Sequence, residues 1–195
     1  MEEIRATKDQ IRSDTVAGIA ALSKTEQNAK LKAIENRLFE FANFLEARIV
    51  LLYVNGAGEI PTGGILERTS EYGKVVVLPA FKPEKLKMNL MKVDNLSTDL
   101  IAGPRGVAEP DPSRCKLVPI DKVDIAIIPG IAFDEKGARI GSGRGYYDRL
   151  IPNLPITTRK VSLAFEEQMV PQIPMESHDK FVDIIITDKR IVYKI

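Results

Sequence analysis

The fold of this chain is constrained most by three short runs of apolar residues without polar alternation. They are 48–54, 74–78 and 123–128. A strand with one face in water alternates apolar and polar residues, so unbroken runs predict strands that are buried on both faces. Pro79 and Pro129 follow the second and third runs directly. Because proline cannot donate to a sheet ladder, we expect both strands to end there.

Helical patterns lie between these runs. Apolar residues recur at helical spacing from Ile4 to Leu22, which predicts a first helix. Ser23 and Glu26 form a capping-box pattern for a second helix, which we expect to end near Glu46. Shorter helices are predicted around 63–72 and 146–151, and further strands at 160–165, 182–187 and 191–195.

Strands that alternate with helices predict a mostly parallel sheet covered on both faces, a three-layer α/β/α fold. Ligands of such sheets bind at the carboxyl ends of the strands. The segments 53–62, 79–87 and 129–148 follow those ends, so we expect them to meet at one cleft. We expect residues 94–122 to form a long excursion from this fold.

Length and composition narrow the class of protein. The 195 residues fit a single domain, 1–195. A net charge of +1 gives no generally basic surface for nucleic acid, and one cysteine, Cys115, excludes an intrachain disulfide. The first ten residues carry charges and no apolar segment, and no apolar run approaches the ~20 residues that span a bilayer. We therefore expect a cytoplasmic protein without a nucleic-acid or membrane partner.

The segment 127–149 carries the most chemistry. Gly141, Gly143 and Gly145 allow backbone N–H groups to approach an anion, and Arg139 and Arg144 add positive charge. The spacing fits neither the Walker loop nor the dinucleotide fingerprint, and glycines alone leave open a flexible turn. The Pro-Gly pair before the loop and the Tyr-Tyr-Asp-Arg run after it favour a loop that binds nucleotide phosphates.

At 129–149 the sequence PGIAFDEKGARIGSGRGYYDR resembles the signature of the 5-formyltetrahydrofolate cyclo-ligases, also called 5,10-methenyltetrahydrofolate synthetases. The resemblance extends through nearly the whole chain. Its further markers are Lys8, Arg12, Glu59, Thr62, Met88, Glu109-Pro110, Phe165, Gln168 and the motif Pro174-x-Glu176-x-His178-Asp179. It implies a fold of the CoA-transferase and sugar-phosphate isomerase type. It also implies the ATP- and Mg²⁺-dependent conversion of 5-formyltetrahydrofolate to 5,10-methenyltetrahydrofolate, ADP and phosphate.

The resemblance also implies roles for individual residues. Those expected to bind ATP are Lys8, Arg12, Arg139, Ile140, Gly141, Ser142, Gly143, Arg144, Gly145, Tyr146 and Tyr147. Those expected to bind the folate, with or without a polyglutamate tail, are Val54, Glu59, Met88 and Tyr146. Catalytic roles fall to Arg144, Lys8 and Tyr147, and magnesium ligation to Asp148 and Asp179. A monomer is expected.

Several residues also have ordinary structural interpretations. Lys8 and Arg12 share one helix face at a spacing of four, which suits a common anion or two solvated charges. Met88 could belong to the core, and Asp148 could cap a helix or pair with Arg149. His178 is expected to support Asp179 rather than to act as a base.

The chain departs from its relatives at three places. Ser142 stands where many relatives carry a bulkier or basic residue, and Arg144 stands where glycine or lysine is common. Residues 103–112 lack the aromatic residue that some members place near the folate. Two other functions stay open: a phosphate-ester or CoA-dependent enzyme of the same fold, and a non-enzymatic sensor that retains nucleotide or folate binding.

Overall fold

The three apolar runs are neighbouring strands of one eight-stranded sheet in a computed structural model, which describes residues 2–194. The strands of the structure are β1 (Ile49–Leu51), β2 (Val75–Lys82), β3 (Lys87–Val93), β4 (Leu100–Ala102), β5 (Ala108–Pro110), β6 (Lys116–Leu117), β7 (Ile125–Ile127), β8 (Ala132–Phe133), β9 (Arg139–Ile140), β10 (Arg159–Ala164), β11 (Ile184–Thr187) and β12 (Ile191–Tyr193). The helices are α1 (Glu2–Ala20), α2 (Lys24–Glu40), α3 (Ala42–Glu46), α4 (Gly63–Glu71) and α5 (Tyr146–Leu150).

The strand order of the main sheet is β12-β11-β10-β7-β1-β2-β3-β6. Its five central strands, from β11 to β2, are parallel, whereas β12, β3 and β6 join antiparallel at the edges. The chain leaves β1 to form β2 on one side and later places β7 on the other side. The strand order therefore reverses at β1 and β7, and a crevice forms beyond the carboxyl ends of such strands.

The two faces of the sheet are covered by different helices. Consecutive strand residues such as Val50 and Leu51 point to opposite faces of the sheet and belong to separate core clusters. The cluster of Val50 includes Leu38 of α2 and Phe44 of α3, whereas that of Leu51 includes Leu150 of α5. The predicted three-layer arrangement with a mostly parallel sheet is confirmed.

The prediction that a strand ends at Pro79 is wrong, because β2 continues through Pro79 to Lys82. Pro79 pairs with Leu90 of β3, and the Leu90 carbonyl accepts instead from Val118 N. The Leu52 amide donates to the Val77 carbonyl, so the backbone polar groups of Val77 point towards β1. The backbone nitrogen of Pro79, two residues later, points the same way. Strand β1 has ended at Leu51, and no ladder donor is lost there.

Other boundaries also differ from expectation. The capping box of Ser23 and Glu26 is present, but the second helix ends at Glu40, since Phe41 adopts an extended backbone before α3 begins. Strand β1 covers 49–51 rather than 48–54. The predicted strand at 191–195 is β12, and Ile195 lies outside the described residues. Within 2–194 no helix is both long and apolar enough to cross a membrane.

Candidate active site

A cavity of about 940 Å³ opens at the carboxyl ends of the central strands. Tyr53 and Val54 follow β1, Pro79 and Phe81 lie on β2, and Pro129 follows β7, and all five line this cavity. The predicted meeting of the three segments is therefore confirmed, although 79–82 is strand rather than loop.

Helix α1 forms one wall of the cavity through Lys8 and Arg12. Lys8 is only 8% exposed, and its Nζ lies 3.1 Å from Glu176 Oε2 and 2.5 Å from Asp179 Oδ2. Burial alone would lower the pKa of Lys8, but the hydrogen bonds to the two carboxylates outweigh it and raise that pKa. Lys8 is thus a charged group at the cavity wall.

The glycine-rich loop lies beside α1, and all of residues 139–149 line the cavity. Arg12 Nε donates to the Gly141 carbonyl at 2.9 Å, which ties α1 to the loop. Gly143 and Gly145 have φ values of 93° and 64°, a region that other residues rarely adopt. Arg144 is exposed at the tip of the loop. The loop therefore needs its last two glycines to hold this shape.

Asp148 connects the start and the end of the loop. Arg139 Nη2 donates to Asp148 Oδ1 at 2.8 Å, and the Lys180 amide donates to the same oxygen at 3.0 Å. Arg139 is buried, and its Nε has no hydrogen-bond partner among residues 2–194. A buried donor without a partner at a cavity wall fits an anionic ligand.

Glu59, Tyr146 and Tyr147 form an acidic and aromatic wall of the same cavity. Glu59 Oε2 accepts from the Gly56 amide at 2.8 Å. Burial raises the pKa of Glu59, and the Gly56 hydrogen bond and the charges of Arg105 and Arg139 oppose the rise. Tyr147 is buried, and burial together with the Glu59 charge raises the pKa of its phenol.

The hydroxyls of Tyr146 and Tyr147 are also buried, and neither finds a hydrogen-bond partner within 2–194. These side chains belong to the core cluster and line the cavity at once. This wall therefore offers a carboxylate acceptor and two unpaired phenols to a polar aromatic ligand.

Three residues after β10 bring metal-ligating atoms together. One ligand atom each from Glu176, His178 and Asp179 lies within 4.8 Å of the other two. His178 Nε2 is 3.5 Å from Asp179 Oδ1, which agrees with the supporting position expected for it. Oxygen donors suit Mg²⁺, so Glu176 and Asp179 fit such an ion.

Asp148 lines the same cavity as this group, and its Oδ2 forms no hydrogen bond or ion pair within 2–194. The Asp148 carboxylate therefore also fits an oxygen-bound cation. Sequence reasoning did not assign Glu176 as a ligand, although the motif that contains Asp179 includes it.

Of the predicted site residues, all but Met88 line the cavity. Met88 lies on β3 opposite Phe81 and packs beside the core cluster of Leu51. Its side chain therefore supports the wall that Phe81 forms, which is its ordinary structural interpretation.

Phe81 and Arg105 also line the cavity, although the sequence assigned neither of them a role there. The Arg105 guanidinium lies 4.0 Å from the ring centroid of Phe81 and 5.4 Å from that of Tyr146, and the two rings meet edge to face. Arg105 Nη2 also lies 3.4 Å from Ser142 Oγ of the glycine-rich loop. The sequence pointed to the segment of Arg105 through the marker Glu109-Pro110 and through the missing aromatic residue in 103–112, but not to Arg105 itself.

The chain is similar throughout its length to proteins of known family. A sequence model of the 5-formyltetrahydrofolate cyclo-ligase family matches residues 4–188. A probable 5-formyltetrahydrofolate cyclo-ligase of Caenorhabditis elegans is 30% identical over 202 residues, covering 95% of each chain. The 5-formyltetrahydrofolate cyclo-ligase of Escherichia coli K12 is 27% identical, covering 88% of this chain and 94% of the relative.

A solved structure has the same fold. The NMR structure of Aquifex aeolicus 5,10-methenyltetrahydrofolate synthetase superposes with a TM-score of 0.82 and 28% identity. The superposition covers 95% of this chain and 92% of that one.

Proposed function

The chain belongs to the 5-formyltetrahydrofolate cyclo-ligase family, and from this premise we propose that it converts 5-formyltetrahydrofolate to 5,10-methenyltetrahydrofolate with ATP and magnesium. One observation supports the ATP-dependent form of this reaction. A single cavity is lined both by a cationic glycine-rich loop and by the acidic, aromatic wall that contains Glu59, Tyr146 and Tyr147. A phosphate donor and a folate could therefore meet in it.

The chemistry requires both ligands at once. The formyl oxygen is a poor leaving group, so we propose that it first takes the γ-phosphoryl group. The bond from the γ-phosphorus to the bridging oxygen breaks, and a bond to the formyl oxygen forms. The N10 nitrogen of the folate then attacks the formyl carbon and loses its proton, and the carbon–oxygen bond breaks to release phosphate. The products are the methenyl folate, ADP and phosphate.

The basic side of the cavity suits the nucleotide phosphates. The backbone amides of Gly141–Gly145, with Arg144 at the tip, can surround phosphate oxygens without side-chain obstruction. Lys8, Arg12 and the unpaired Nε of Arg139 would add charge from the wall. Phosphoryl transfer depends chiefly on such positioning and neutralisation.

The acidic side suits the pterin ring. Glu59 would accept paired N–H donors of the ring, and the free hydroxyls of Tyr146 and Tyr147 would bind its other polar atoms. Val54 borders the same region. Tyr147 holds its proton because its pKa is raised, so it serves as a hydrogen-bond donor and not as a base.

Magnesium would be held by Asp148 and Asp179, with Glu176 as a third carboxylate. When bound, the ion would neutralise charge on the phosphate oxygens. Lys8 already contacts two of these carboxylates, so it would stand beside the same phosphates. A cytoplasmic location and a monomeric state stay predictions.

The test is formation of the methenyl product, followed by its ultraviolet absorbance, from 5-formyltetrahydrofolate, ATP and magnesium. We expect product only when all three are present. A protein that binds ATP and the folate but forms no product would be the non-enzymatic alternative. A protein that binds ATP or CoA but no folate would be the phosphate-ester or CoA-dependent alternative.

A further inference from the structure

Arg105 lies in the turn of the β4–β5 hairpin and lines the cavity, on a segment separate from α1 and from the glycine-rich loop. We propose that Arg105 is an additional anion-binding residue of the active site, which contacts the γ-phosphoryl group as it passes from the nucleotide to the folate. The proposal rests on the proposed function and adds a residue to it.

The hairpin that carries Arg105 is fixed to the sheet. Glu109 on β5 is buried, and its Oε2 accepts from the Phe81 amide of β2 at 2.9 Å. The Gly103 backbone packs so closely on Glu109 that a Cβ atom at position 103 would lie 2.5 Å from Glu109 Oε1. These contacts hold the start of the turn against the wall that Phe81 forms, so Arg105 extends from a supported position.

The charge of Arg105 is available to a ligand. Lys8, Arg12 and Arg139 each form a salt bridge with a carboxylate, whereas no carboxylate within 2–194 forms one with Arg105. Its guanidinium lies over the Phe81 ring instead. Stacking on an aromatic face leaves the N–H edge of a guanidinium free, and that edge matches the geometry of phosphate oxygens.

The position of Arg105 joins the two halves of the cavity. Its guanidinium lies near Tyr146 on the proposed folate side, and its Nη2 lies near Ser142 in the proposed phosphate loop. Its charge also opposes the rise in pKa of Glu59, so it acts on the acidic wall as well. A group in transfer from nucleotide to folate must cross this junction.

A substrate carboxylate has the same anionic chemistry, so the experiment must separate it from phosphate. We would replace Arg105 by Gln, and in a second variant by Met, which keeps aliphatic packing on the rings without charge. Arg68→Gln is the matched control, because Arg68 lies 4.1 Å from the Phe39 centroid and 5.6 Å from that of Tyr72, outside the cavity lining. Thermal unfolding checks that all three variants fold.

The first readout is equilibrium binding, by calorimetry, of ADP and of a non-hydrolysable ATP analogue. We expect both Arg105 variants to weaken the analogue about tenfold, the loss of one charged hydrogen bond, and to leave ADP affinity within about twofold. The second readout is the kcat of methenyl formation, which we expect to fall on the order of 100-fold with little change in the KM of the folate. Arg68→Gln should change neither.

Three results would overturn the proposal. Equal weakening of ADP and the analogue would place Arg105 away from the γ-phosphoryl group. A raised KM for the folate with unchanged nucleotide binding would assign Arg105 to a substrate carboxylate. Variants indistinguishable from Arg68→Gln would leave Arg105 a structural residue. If the wild-type protein forms no methenyl product, the proposed function fails, and the ADP and analogue comparison still tests Arg105.

Discussion

The ammonium of Lys8 donates a hydrogen bond to Oδ2 of Asp179, 171 residues further along the chain. The contact joins the first helix to the segment before β11 and places a buried cation against a proposed magnesium ligand. Asp179 Oδ2 also accepts from the Glu176 amide at 2.8 Å. One aspartate oxygen therefore organises the segment that carries the candidate metal ligands.

Replacing Lys8 by Met should destabilise the metal-free protein in a pH-dependent way. Burial would raise the pKa of Asp179, but the Lys8 and Glu176 hydrogen bonds outweigh it and lower that pKa. The contribution of Asp179 is thus present above its unfolded pKa of about 3.9 and is lost as the pH falls through the lower folded value. The pKa of Lys8 is raised in the folded protein. Its contribution to stability is therefore fully present below the unfolded lysine pKa of about 10.4, and it is lost as the pH rises through the higher folded pKa.

We therefore expect Lys8→Met to lose about 1–3 kcal/mol of unfolding free energy at pH 7 and less at pH 3, which lies below the unfolded pKa of Asp179. Urea unfolding in the presence of a chelator measures both values. Lys122→Met is the control, since the Lys122–Asp121 pair is exposed and should contribute almost nothing. A loss for Lys8→Met that is the same at both pH values would contradict the assigned linkage.

Replacing Glu59 by Gln should weaken the folate and remove a pH dependence. Because burial raises the pKa of Glu59, folate affinity should fall as the pH drops through a value above the ordinary glutamate pKa of about 4.3. Loss of the charge should raise the folate Kd at pH 7.5 about tenfold or more, and the remaining affinity should be flatter with pH. Binding titrations from pH 5 to 8 measure this.

The same variant should not lose stability at neutral pH, because a buried carboxylate with a raised pKa is unfavourable when ionised. An unfolding midpoint far below that of the wild-type protein would show that Glu59 acts chiefly in folding. An unchanged folate Kd would remove Glu59 from the proposed folate wall.

The glycine-rich loop could be predicted from the sequence because its requirement is a local one. Gly143 and Gly145 have positive φ values, and that demand appears directly as glycines in the sequence. The sheet was predictable for a similar reason, since strands buried on both faces need unbroken apolar runs such as 123–128. Structural features that depend on one segment only could therefore be predicted from the sequence.

Features that depend on contacts between distant segments could not be predicted from the sequence. Pro79 is tolerated in β2 because β1 ends at Leu51, which no property of β2 reveals. Arg105 is part of the cavity because Glu109 fixes its hairpin to the Phe81 amide. The break at Phe41 interrupts a continuous apolar pattern, so periodicity alone joins two helices.

Replacing Gly143 by Ala tests whether the loop shape binds the nucleotide. Gly143 has a φ of 93° and Gly73 a φ of 70°, and Gly73 lies outside the cavity lining with open space around its Cα. Both substitutions should cost about 1 kcal/mol of stability through backbone strain. Only Gly143→Ala should raise the KM of ATP, and equal kinetics of the two variants would contradict the phosphate role of the loop.

Replacing Arg144 by Ala should raise the KM of ATP more than that of the folate, because its exposed side chain stands at the tip of the loop. Loss of one charge-assisted phosphate contact corresponds to about a tenfold change. Arg159→Ala is the control, since Arg159 is also exposed but begins β10, at the amino end of that strand and outside the cavity lining. An unchanged ATP requirement in Arg144→Ala would remove this residue from the phosphate site.

Replacing Asp148 by Asn separates its metal role from its structural one. Asp148 Oδ1 accepts hydrogen bonds from the Arg139 side chain and from the Lys180 amide. Asp183 Oδ2 is in a similar position: it accepts from the Lys160 amide at 3.0 Å and forms an ion pair with Lys160 Nζ at 3.2 Å. Asp183 lies outside the cavity lining, so Asp183→Asn is the matched control.

Both aspartate variants should lose about 1–3 kcal/mol of unfolding free energy, since each weakens a charged hydrogen bond. Only Asp148→Asn should also raise the magnesium concentration needed for half-maximal methenyl formation, because Asp148 lines the cavity and its Oδ2 forms no hydrogen bond within 2–194. Magnesium titrations at saturating ATP measure that concentration. A shift of the same size in Asp183→Asn would mean that lost stability, and not a lost ligand, raises the magnesium requirement.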